Sequence, residues 1–241
     1  MADNSLILQQ IDYFKRLSEI NGYPVFVFDG NGHKGFFGKN KHHYQISSLH
    51  KKGFMVQDRL RFNGQEIIFD PDCSWFEVKK VGDKILDFLN KNQIPYEILF
   101  SGRNIRIHIY VNDSLKNYAR SRRIDAQKMC FYLYQHLCYL VGIDWREFGV
   151  PENKAKNHLL GTIGKRNAKT GFYCTYIKEI PQEQPQTNLS DVRFPEKLKF
   201  WDIPQEPLDK AFDYSSKIPE QEVQKTFVDK RYFGAMTILR C

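Results

Sequence analysis

The clearest secondary-structure signals lie between residues 66 and 111, in the sequence EIIFDPDCSWFEVKKVGDKILDFLNKNQIPYEILFSGRNIRIHIYV. An apolar run over 66–70 predicts a buried strand. A helix is expected next, because an S-x-x-E capping box begins at Ser74 and apolar residues then follow at helical spacing. Two more strands are predicted at 96–100 and 105–111, the second with a period of two. The order of elements is therefore β-α-β-β.

The flanking sequence predicts further helices and strands, so the chain is expected to have an α/β (α+β) fold. Helices are predicted over 5–20, about 124–141, 205–215 and 219–228, with strands over 24–28 and 173–177. Residues 30–52 are rich in Gly, Lys and His and predict a basic, loop-rich segment. The β-α-β-β unit itself would form half of a ferredoxin-like or RNA-recognition-motif sheet.

Composition restricts the class of protein. The chain has 241 residues, of which 41% are hydrophobic and 15% aromatic, and this excludes a disordered or fibrous chain. No apolar run approaches the ~20 residues of a membrane span, and no secretory signal is evident, so a cytoplasmic location is expected. Thirty-six basic residues against 28 acidic ones give a net charge of +8, which favours a polyanionic partner. The five cysteines form no C-x-x-C pair, which disfavours a disulfide framework or a structural zinc site.

Three aspartates are candidates for metal binding. Asp70 and Asp72 flank Pro71 at the end of a predicted strand, where residues two apart project from the same face. Paired carboxylates suit Mg²⁺ or Mn²⁺, although a solvated D-P-D turn would have the same sequence. Asp144 follows the end of the helix over 124–141, where an aspartate that only ends the helix is the alternative interpretation.

Basic and hydroxyl side chains are candidates for phosphate binding. Arg106, His108 and Tyr110 alternate along one strand and are expected on an open sheet face beside the aspartates. The turn Ser101-Gly102-Arg103-Asn104 offers a hydroxyl, backbone N–H groups and a guanidinium, and Lys165, Arg166 and Lys169 form a basic loop. A solvent-facing histidine, an ordinary hairpin turn and a solvated charged loop are the alternatives.

Four motifs occur in a characteristic order. They are IIFDPDCS at 67–74, FSGRNIRIHIYV at 100–111, GID at 142–144 and NHLLGTIGKRNAKTG at 157–171. Over about residues 65–177 the chain resembles the archaeo-eukaryotic primase superfamily, in which D-x-D, S-G-x-x-G-x-H, a lone aspartate and a basic K-T-G turn follow one another. The spacing from serine to histidine is one residue longer here, Arg106 replaces a usual glycine, and Asn167 stands where a histidine is common.

The resemblance implies an RNA-recognition-motif-like catalytic sheet with an additional N-terminal α/β subdomain, which together form one open active-site cleft. The catalytic core would span 1–180, divided into an N-terminal subdomain of about 1–60 and a sheet subdomain of about 61–180. A C-terminal extension with short helices would follow over 181–241. The cysteine cluster that binds zinc in many primase small subunits is absent, which resembles the compact primase-polymerases of plasmids, phages or mobile elements.

The resemblance also implies roles for individual residues. Asp70, Asp72 and Asp144 would bind two divalent ions, Mg²⁺ or Mn²⁺. Ser101, Arg103 and His108 would contact the triphosphate. Lys165, Arg166 and Lys169 would reach the incoming nucleotide. In a two-metal mechanism, such ions activate the attacking hydroxyl and neutralise charge on the leaving group.

The function expected from these features is template-dependent nucleotidyl transfer by a DNA primase or DNA polymerase in DNA replication. Its partners would be single-stranded DNA template, primer-template DNA and NTP or dNTP, and further domains or a helicase partner are compatible with it. No membrane partner is expected. Two alternatives stay open: a non-catalytic module that binds single-stranded nucleic acid, and a metal-dependent nuclease. Incubation with template, nucleotides and Mn²⁺ would separate the three by extension, no reaction or cleavage.

Overall fold

The computed structural model describes residues 4–22, 24–28, 34–38, 41–42, 55–149 and 153–218. The helices are α1 (Asn4–Asn21), α2 (Trp75–Lys91), α3 (Asp113–Ser121), α4 (Ala126–Val141) and α5 (Gln205–Ser215). The strands are β1 (Val25–Phe28), β2 (Lys34–Gly38), β3 (Lys41–His42), β4 (Asp58–Leu60), β5 (Glu66–Phe69), β6 (Glu97–Phe100), β7 (Ile105–Val111), β8 (Leu159–Gly161), β9 (Thr175–Ile177) and β10 (Phe200–Trp201).

The strands form two sheets. The first sheet has the order β3-β2-β1-β4-β8, with every neighbouring pair antiparallel. In the second sheet, β7 lies between β5 and β6, β9 pairs with the far side of β6, and these pairs are also antiparallel. β10 runs parallel to the last two residues of β7. The architecture is therefore mixed α and β, with two largely antiparallel sheets.

Two hydrophobic cores lie on opposite faces of the second sheet. On one face, the isoleucines of β7 pack with α2, α3, α4 and α5, as shown by the buried side chains of Ile85, Leu115, Leu137 and Leu208. On the other face, Leu99 and Tyr110 pack with α1 and the first sheet. From Ile107 onwards the central strand β7 is thus covered on both sides, while Arg106 near its start stays partly exposed.

Several predicted elements are confirmed. The strands over 66–70, 96–100 and 105–111 are present as β5, β6 and β7, and the predicted β-α-β-β order is observed. The capping box at Ser74 is formed, since its hydroxyl accepts from the backbone of Glu77 and the Glu77 carboxylate bonds in return. Gly142 ends α4 with a φ of 71°.

Other predictions were wrong or incomplete. The loop predicted over 30–52 contains β2, which pairs with β1, and β3, which pairs with β2. Glycine interrupts the apolar pattern of this segment, so the strands were not predicted. The rest of that segment, and the helix predicted over 219–228, lie outside the described residues. Sequence reasoning also missed α3, β4, β8 and β10. The three short strands have two or three residues each, too few to show a period.

Candidate functional site

The D-P-D motif lies where β5 ends. Its middle residue, Pro71, forms an isolated antiparallel bridge with Phe148. Asp70 keeps 19% of its side-chain surface exposed, whereas Asp72 keeps 67%. The two carboxylates are therefore at the surface, with Asp70 set deeper than Asp72.

Each of these carboxylates is bound by an arginine. Arg106 Nε donates to Asp70 Oδ2 at 3.0 Å. Arg103 Nη2 lies 3.4 Å from Asp72 Oδ1, and Asn104 Nδ2 donates to the same oxygen at 3.2 Å. The structure thus brings the S-G-R-N turn and the start of β7 to the two aspartates. Arg106, which the family pattern does not include, is in direct contact with the first of them.

The S-G-R-N turn is held by its own hydrogen bonds. The Ser101 hydroxyl donates to the Asn104 carbonyl at 2.8 Å and accepts from the Asn104 backbone N–H at 3.1 Å. Gly102 has a φ of +83°, a backbone conformation that favours glycine. The Ser101 side chain therefore shapes this turn, while the Arg103 guanidinium extends from it.

The basic turn packs directly against the S-G-R-N turn. The Thr170 hydroxyl donates to the Gly102 carbonyl at 2.5 Å. Asn167 Nδ2 donates to the Ser101 carbonyl at 3.4 Å. A Cβ at Gly102 would lie 2.7 Å from both Asn167 Cβ and the Phe172 carbonyl oxygen, so the two turns are in close backbone contact. Motifs about 60 residues apart in the sequence therefore form one surface.

The three predicted cations of the basic turn differ in position. Lys165 Nζ donates to Asp58 Oδ1 at 2.6 Å. Both Lys165 and Arg106 approach Gly161, since a Cβ added at this glycine would lie 3.0 Å from Lys165 Cδ and 3.8 Å from Arg106 Nη1. Lys165 thus lies close to the Arg106–Asp70 pair. Arg166 is exposed and its Nε donates to the Gly171 carbonyl, which closes the turn. Lys169 is exposed farther along the same turn.

His108 does not lie on an open face. It is 1% exposed, and its Nδ1 is 2.8 Å from Glu66 Oε1. Burial lowers the pKa of the His108 imidazole below its usual value, although the neighbouring Glu66 carboxylate acts to raise it. Tyr110 is buried beside it. The expectation of an open face is therefore wrong for His108 and Tyr110, because α1 and the first sheet cover this side of β7.

Asp144 and Glu147 are on the wall of one cavity with Asp72. The cavity measures about 620 Å³. Both carboxylate oxygens of Asp144 are bound by Arg146, at 2.8 and 2.7 Å. Since Phe148 pairs with Pro71 in an antiparallel bridge, the same register places Glu147 opposite Asp72. Glu147 is thus a candidate that sequence reasoning missed.

His158 is a second missed candidate. Burial, with the positive charges of Arg106 and Arg61, lowers the pKa of its imidazole, while Asp70 raises it. The backbone carbonyl of His158 accepts from the Arg61 backbone N–H at 2.9 Å, which places the residue directly beyond the pairing of β4 with β8. The only signal in the sequence is its place at the start of the H-L-L run within 157–171.

The carboxylate oxygens of Asp70 and Asp72 suit a hard cation whose other ligands are water and substrate phosphates. Over the described ranges, no group of three or more His, Cys, Asp or Glu side chains is arranged to hold a metal ion. Mg²⁺ is commonly bound by one or two carboxylates together with water and substrate phosphates. The two aspartates therefore suit an ion that binds together with a substrate phosphate better than an ion that is bound permanently.

Comparisons with protein-family models, with curated proteins and with solved structures gave no match. The resemblance to the primase superfamily therefore rests on the motifs of the sequence. Among the described residues, no helix combines the length and apolar character needed to cross a membrane.

Proposed function

We propose that the chain is a template-dependent nucleotidyltransferase with primase or DNA polymerase activity, and that the second sheet is its RNA-recognition-motif-like catalytic sheet. One observation carries this proposal. The D-P-D motif, the S-G-R-N turn and the basic turn come from three separate parts of the chain and meet at one surface. Carboxylates and cations lie next to each other on this surface as ion pairs. Such a surface suits a nucleoside triphosphate with its divalent ion, because carboxylates can bind the ion and cations can bind the phosphates.

Asp70 and Asp72 would hold the divalent ions, which supply charge neutralisation on the phosphates and a lower pKa for the attacking hydroxyl. Arg103, Arg106 and Lys165 would bind phosphate oxygens. Each of these cations is paired with a carboxylate here, so nucleotide binding would exchange a carboxylate partner for a phosphate. Their work is positioning and charge stabilisation, which is most of what phosphoryl-type transfer requires.

The remaining predicted residues take supporting parts in this proposal. Ser101 fixes the turn that carries Arg103. His108 is buried against Glu66 and would act by supporting the sheet beneath Arg106 rather than by touching phosphate. Arg166 and Lys169 are exposed on the basic turn, where they would attract the anionic nucleotide.

The test is an extension assay with the full chain. A labelled primer annealed to a template is incubated with dNTPs or NTPs and with Mg²⁺ or Mn²⁺, and the products are separated by gel electrophoresis. A template without primer is run in parallel. Template-directed extension is expected, and its absence under all ion and nucleotide combinations would contradict the proposal. Shortening of the labelled strand would indicate the nuclease alternative.

Variants connect the assay to the site. Asp70→Asn and Asp72→Asn are expected to lose extension while remaining folded. The thermal unfolding temperature should be unchanged in Asp72→Asn, because the Asp72 side chain is 67% exposed, and slightly lower in Asp70→Asn, which loses the bond with Arg106. Asp87→Asn on the exposed face of α2 is the matched control and should extend normally. Full activity of Asp70→Asn or Asp72→Asn with either ion would contradict the assigned roles.

A further inference from the structure

A cavity of about 550 Å³ lies between α4, the end of α5 and the segment that contains Lys154 and Lys156. The described residues that line it include none from the D-P-D motif, the S-G-R-N turn or the basic turn. Its volume is within the range of about 300–1,000 Å³ that is usual for small-molecule sites. We call it the α4 cavity, and it is separate from the candidate site.

Gln135 is a buried polar side chain on the wall of the α4 cavity. It is 1% exposed, the lowest value among the described lining residues, and its Nε2 has no hydrogen-bond partner among the described residues. A buried amide N–H without an acceptor costs free energy, and such groups are nearly always paired in folded proteins. The Gln135 amide is therefore suited to bind an acceptor atom of a ligand.

Gln127 is a second buried glutamine on the same wall, and its amide is fully paired. It lies eight residues before Gln135 on one face of α4 and is 4% exposed. Its Oε1 accepts from the Gly64 N–H at 2.8 Å, and its Nε2 donates to the Asn153 carbonyl. The two side chains are thus alike in type and burial, but only the Gln127 amide is used to join parts of the fold.

The lining of the α4 cavity is basic. Four of the described lining residues are lysines and one, Asp125, is acidic. Asp125 is paired with Lys156 at 2.9 Å. Lys128 and Lys217 are exposed, and neither forms an ion pair with a described residue, although Lys128 Nζ lies 5.8 Å from the centre of the Tyr132 ring. These two ammonium groups can therefore bind an anion without first breaking an ion pair.

The amide and the lysines are at different levels along α4. Lys128 comes seven residues before Gln135, which corresponds to about 10 Å at the rise of an α-helix. The wall between these levels includes the apolar side chain of Phe131. A ligand that reaches both ends needs a hydrogen-bond acceptor at one end and an anionic group at the other. Nucleoside phosphates have this arrangement, because the edges of all four bases carry acceptors and the phosphate lies beyond the sugar.

We propose that the α4 cavity binds a nucleoside monophosphate. An acceptor on the base edge takes the hydrogen bond from Gln135 Nε2, and the phosphate lies near Lys128 and Lys217. The lysines supply the positive charge, so this site needs no divalent ion. It is a second nucleotide site, and it does not rest on the proposed function, whose nucleotide is a triphosphate bound with its ion beside Asp70 and Asp72.

The first test measures urea unfolding without ligand. Gln135→Met should raise the unfolding midpoint, because it replaces an unpaired buried amide by an apolar chain of similar size. Gln127→Met is the matched control and should lower the midpoint, because the Gly64 N–H and the Asn153 carbonyl lose their partner. A fall in Gln135→Met as large as in Gln127→Met would show that the Gln135 amide supports the fold, and would overturn the proposal.

The second test is calorimetric titration of the full chain with the monophosphates of adenosine, guanosine, cytidine and uridine, without divalent ion. At least one should bind at a single site. Gln135→Met should weaken this binding by about 2- to 10-fold, the range for loss of a neutral hydrogen bond. Combined Lys128→Gln and Lys217→Gln should weaken it by about tenfold or more. Lys210→Gln, at an exposed lysine paired with Glu206 on α5, should bind like the wild type.

Three results of the titration would overturn the proposal. The first is no binding of any of the four nucleotides at millimolar concentration. The second is equal affinity for inorganic phosphate and for the nucleotides with no effect of Gln135→Met, because the lysines would then only attract anions. The third is binding that is kept in Gln135→Met but lost in Arg103→Gln, which would place the nucleotide at the candidate site.

The two proposals can fail separately. If the wild type extends no primer but loses nucleotide affinity in Gln135→Met, the α4 cavity stands as a nucleotide site and the nucleotidyltransferase does not. If the wild type extends primers and no monophosphate binds without divalent ion, the opposite holds.

Discussion

At Asp144, a residue that the sequence suggests as a metal ligand already has a partner. Its carboxylate is bound on both oxygens by Arg146, two residues later. Glu147 comes from the same loop and is opposite Asp72 in the bridge between Pro71 and Phe148. Both line the cavity that includes Asp72. Under the proposed function, the register of the bridge therefore makes Glu147 a candidate for a further carboxylate beside Asp72.

We expect Glu147→Gln to lower nucleotide incorporation by about 10- to 100-fold, since loss of a group that supports metal binding has effects of this size. Asp144→Asn should have a much smaller effect, because it removes an ion pair with a neighbouring surface arginine. Single-turnover incorporation by the two variants gives the comparison. A severe loss in Asp144→Asn with a wild-type rate in Glu147→Gln would restore Asp144 as the ligand.

The environment of Glu97 changes the pKa of its carboxyl group. Its side chain is buried in the second sheet, and its Oε2 accepts from the Tyr110 hydroxyl at 3.2 Å. Burial raises the pKa of this carboxyl from 4.5 to about 8, assisted by Glu66 and opposed by the Tyr110 hydrogen bond and by Arg59. Glu97 is therefore protonated in the folded protein at neutral pH.

The raised pKa predicts that stability falls as the pH rises. The folded state binds this proton more tightly than the unfolded state, so the contribution is complete below pH 4.5 and is lost by about pH 8. The slope is at most about 1.4 kcal/mol of unfolding free energy per pH unit. Urea unfolding of the wild type and of Glu97→Gln between pH 5 and pH 8 should show this fall in the wild type alone. Parallel curves would contradict the assignment.

At the scale of elements, the two turns beside the aspartates act as one unit. Thr170 and Asn167 bind the backbone of the S-G-R-N turn, and Gly102 allows the backbones to approach. Arg103 and Lys165 are carried by these turns. Any change that separates the turns is therefore expected to disturb both cations at once.

We expect Gly102→Ala to destabilise the fold and to weaken nucleotide use. A left-handed alanine costs about 1–2 kcal/mol, and overlap with Asn167 and Phe172 adds about 1–3 kcal/mol. The matched control is Gly22→Ala, because Gly22 has a similar φ of +72° and a Cβ added there would meet no atom of the described residues within 4 Å. Urea unfolding should show only the backbone cost for Gly22→Ala. Equal losses would mean that the contact between the turns contributes nothing.

At the scale of the whole molecule, a buried ion pair joins the two sheets. Arg59 of the first sheet binds Glu66 of the second through two hydrogen bonds, at 2.5 and 3.0 Å. Glu66 also holds His108 and the backbone N–H of Phe62. Arg59 lowers the pKa of the Glu66 carboxyl, although burial acts in the opposite direction. The pair therefore remains charged between the sheets.

Removing one member of this pair should cost about 3–5 kcal/mol of unfolding free energy, because the other charge stays buried without compensation. Arg59→Met and Glu66→Gln are the single variants. The double variant should lose clearly less unfolding free energy than the two single variants added together. A double-mutant cycle by urea unfolding measures this difference. The exposed pair Lys210–Glu206 is the control, and Lys210→Met should change stability by less than about 1 kcal/mol. Additive losses at Arg59 and Glu66 would contradict the coupling.

The sequence by itself determined the elements whose signals are local. The β5-α2-β6-β7 unit follows from an apolar run, a capping box and an alternating strand, and α4 from an apolar face ended by Gly142. The D-P-D motif and the two turns could also be selected, because their order along the chain resembles that of the primase superfamily, although each motif alone could be an ordinary turn or loop. These features depend on neighbours within a few residues, which the sequence displays directly.

Only the tertiary structure decided which faces are covered and which residues meet. β4 and β8 have three residues each and pair with each other from positions about 100 residues apart. No local pattern of apolar residues therefore predicts these strands. The alternation of β7 correctly placed Arg106 and His108 on one face, but burial of His108 depends on α1 and the first sheet. The pairing of Asp70 with Arg106, and the position of Glu147, likewise depend on long-range register. A strand's pattern fixes its two faces, whereas the packing of distant elements determines which part of each face remains open to a ligand.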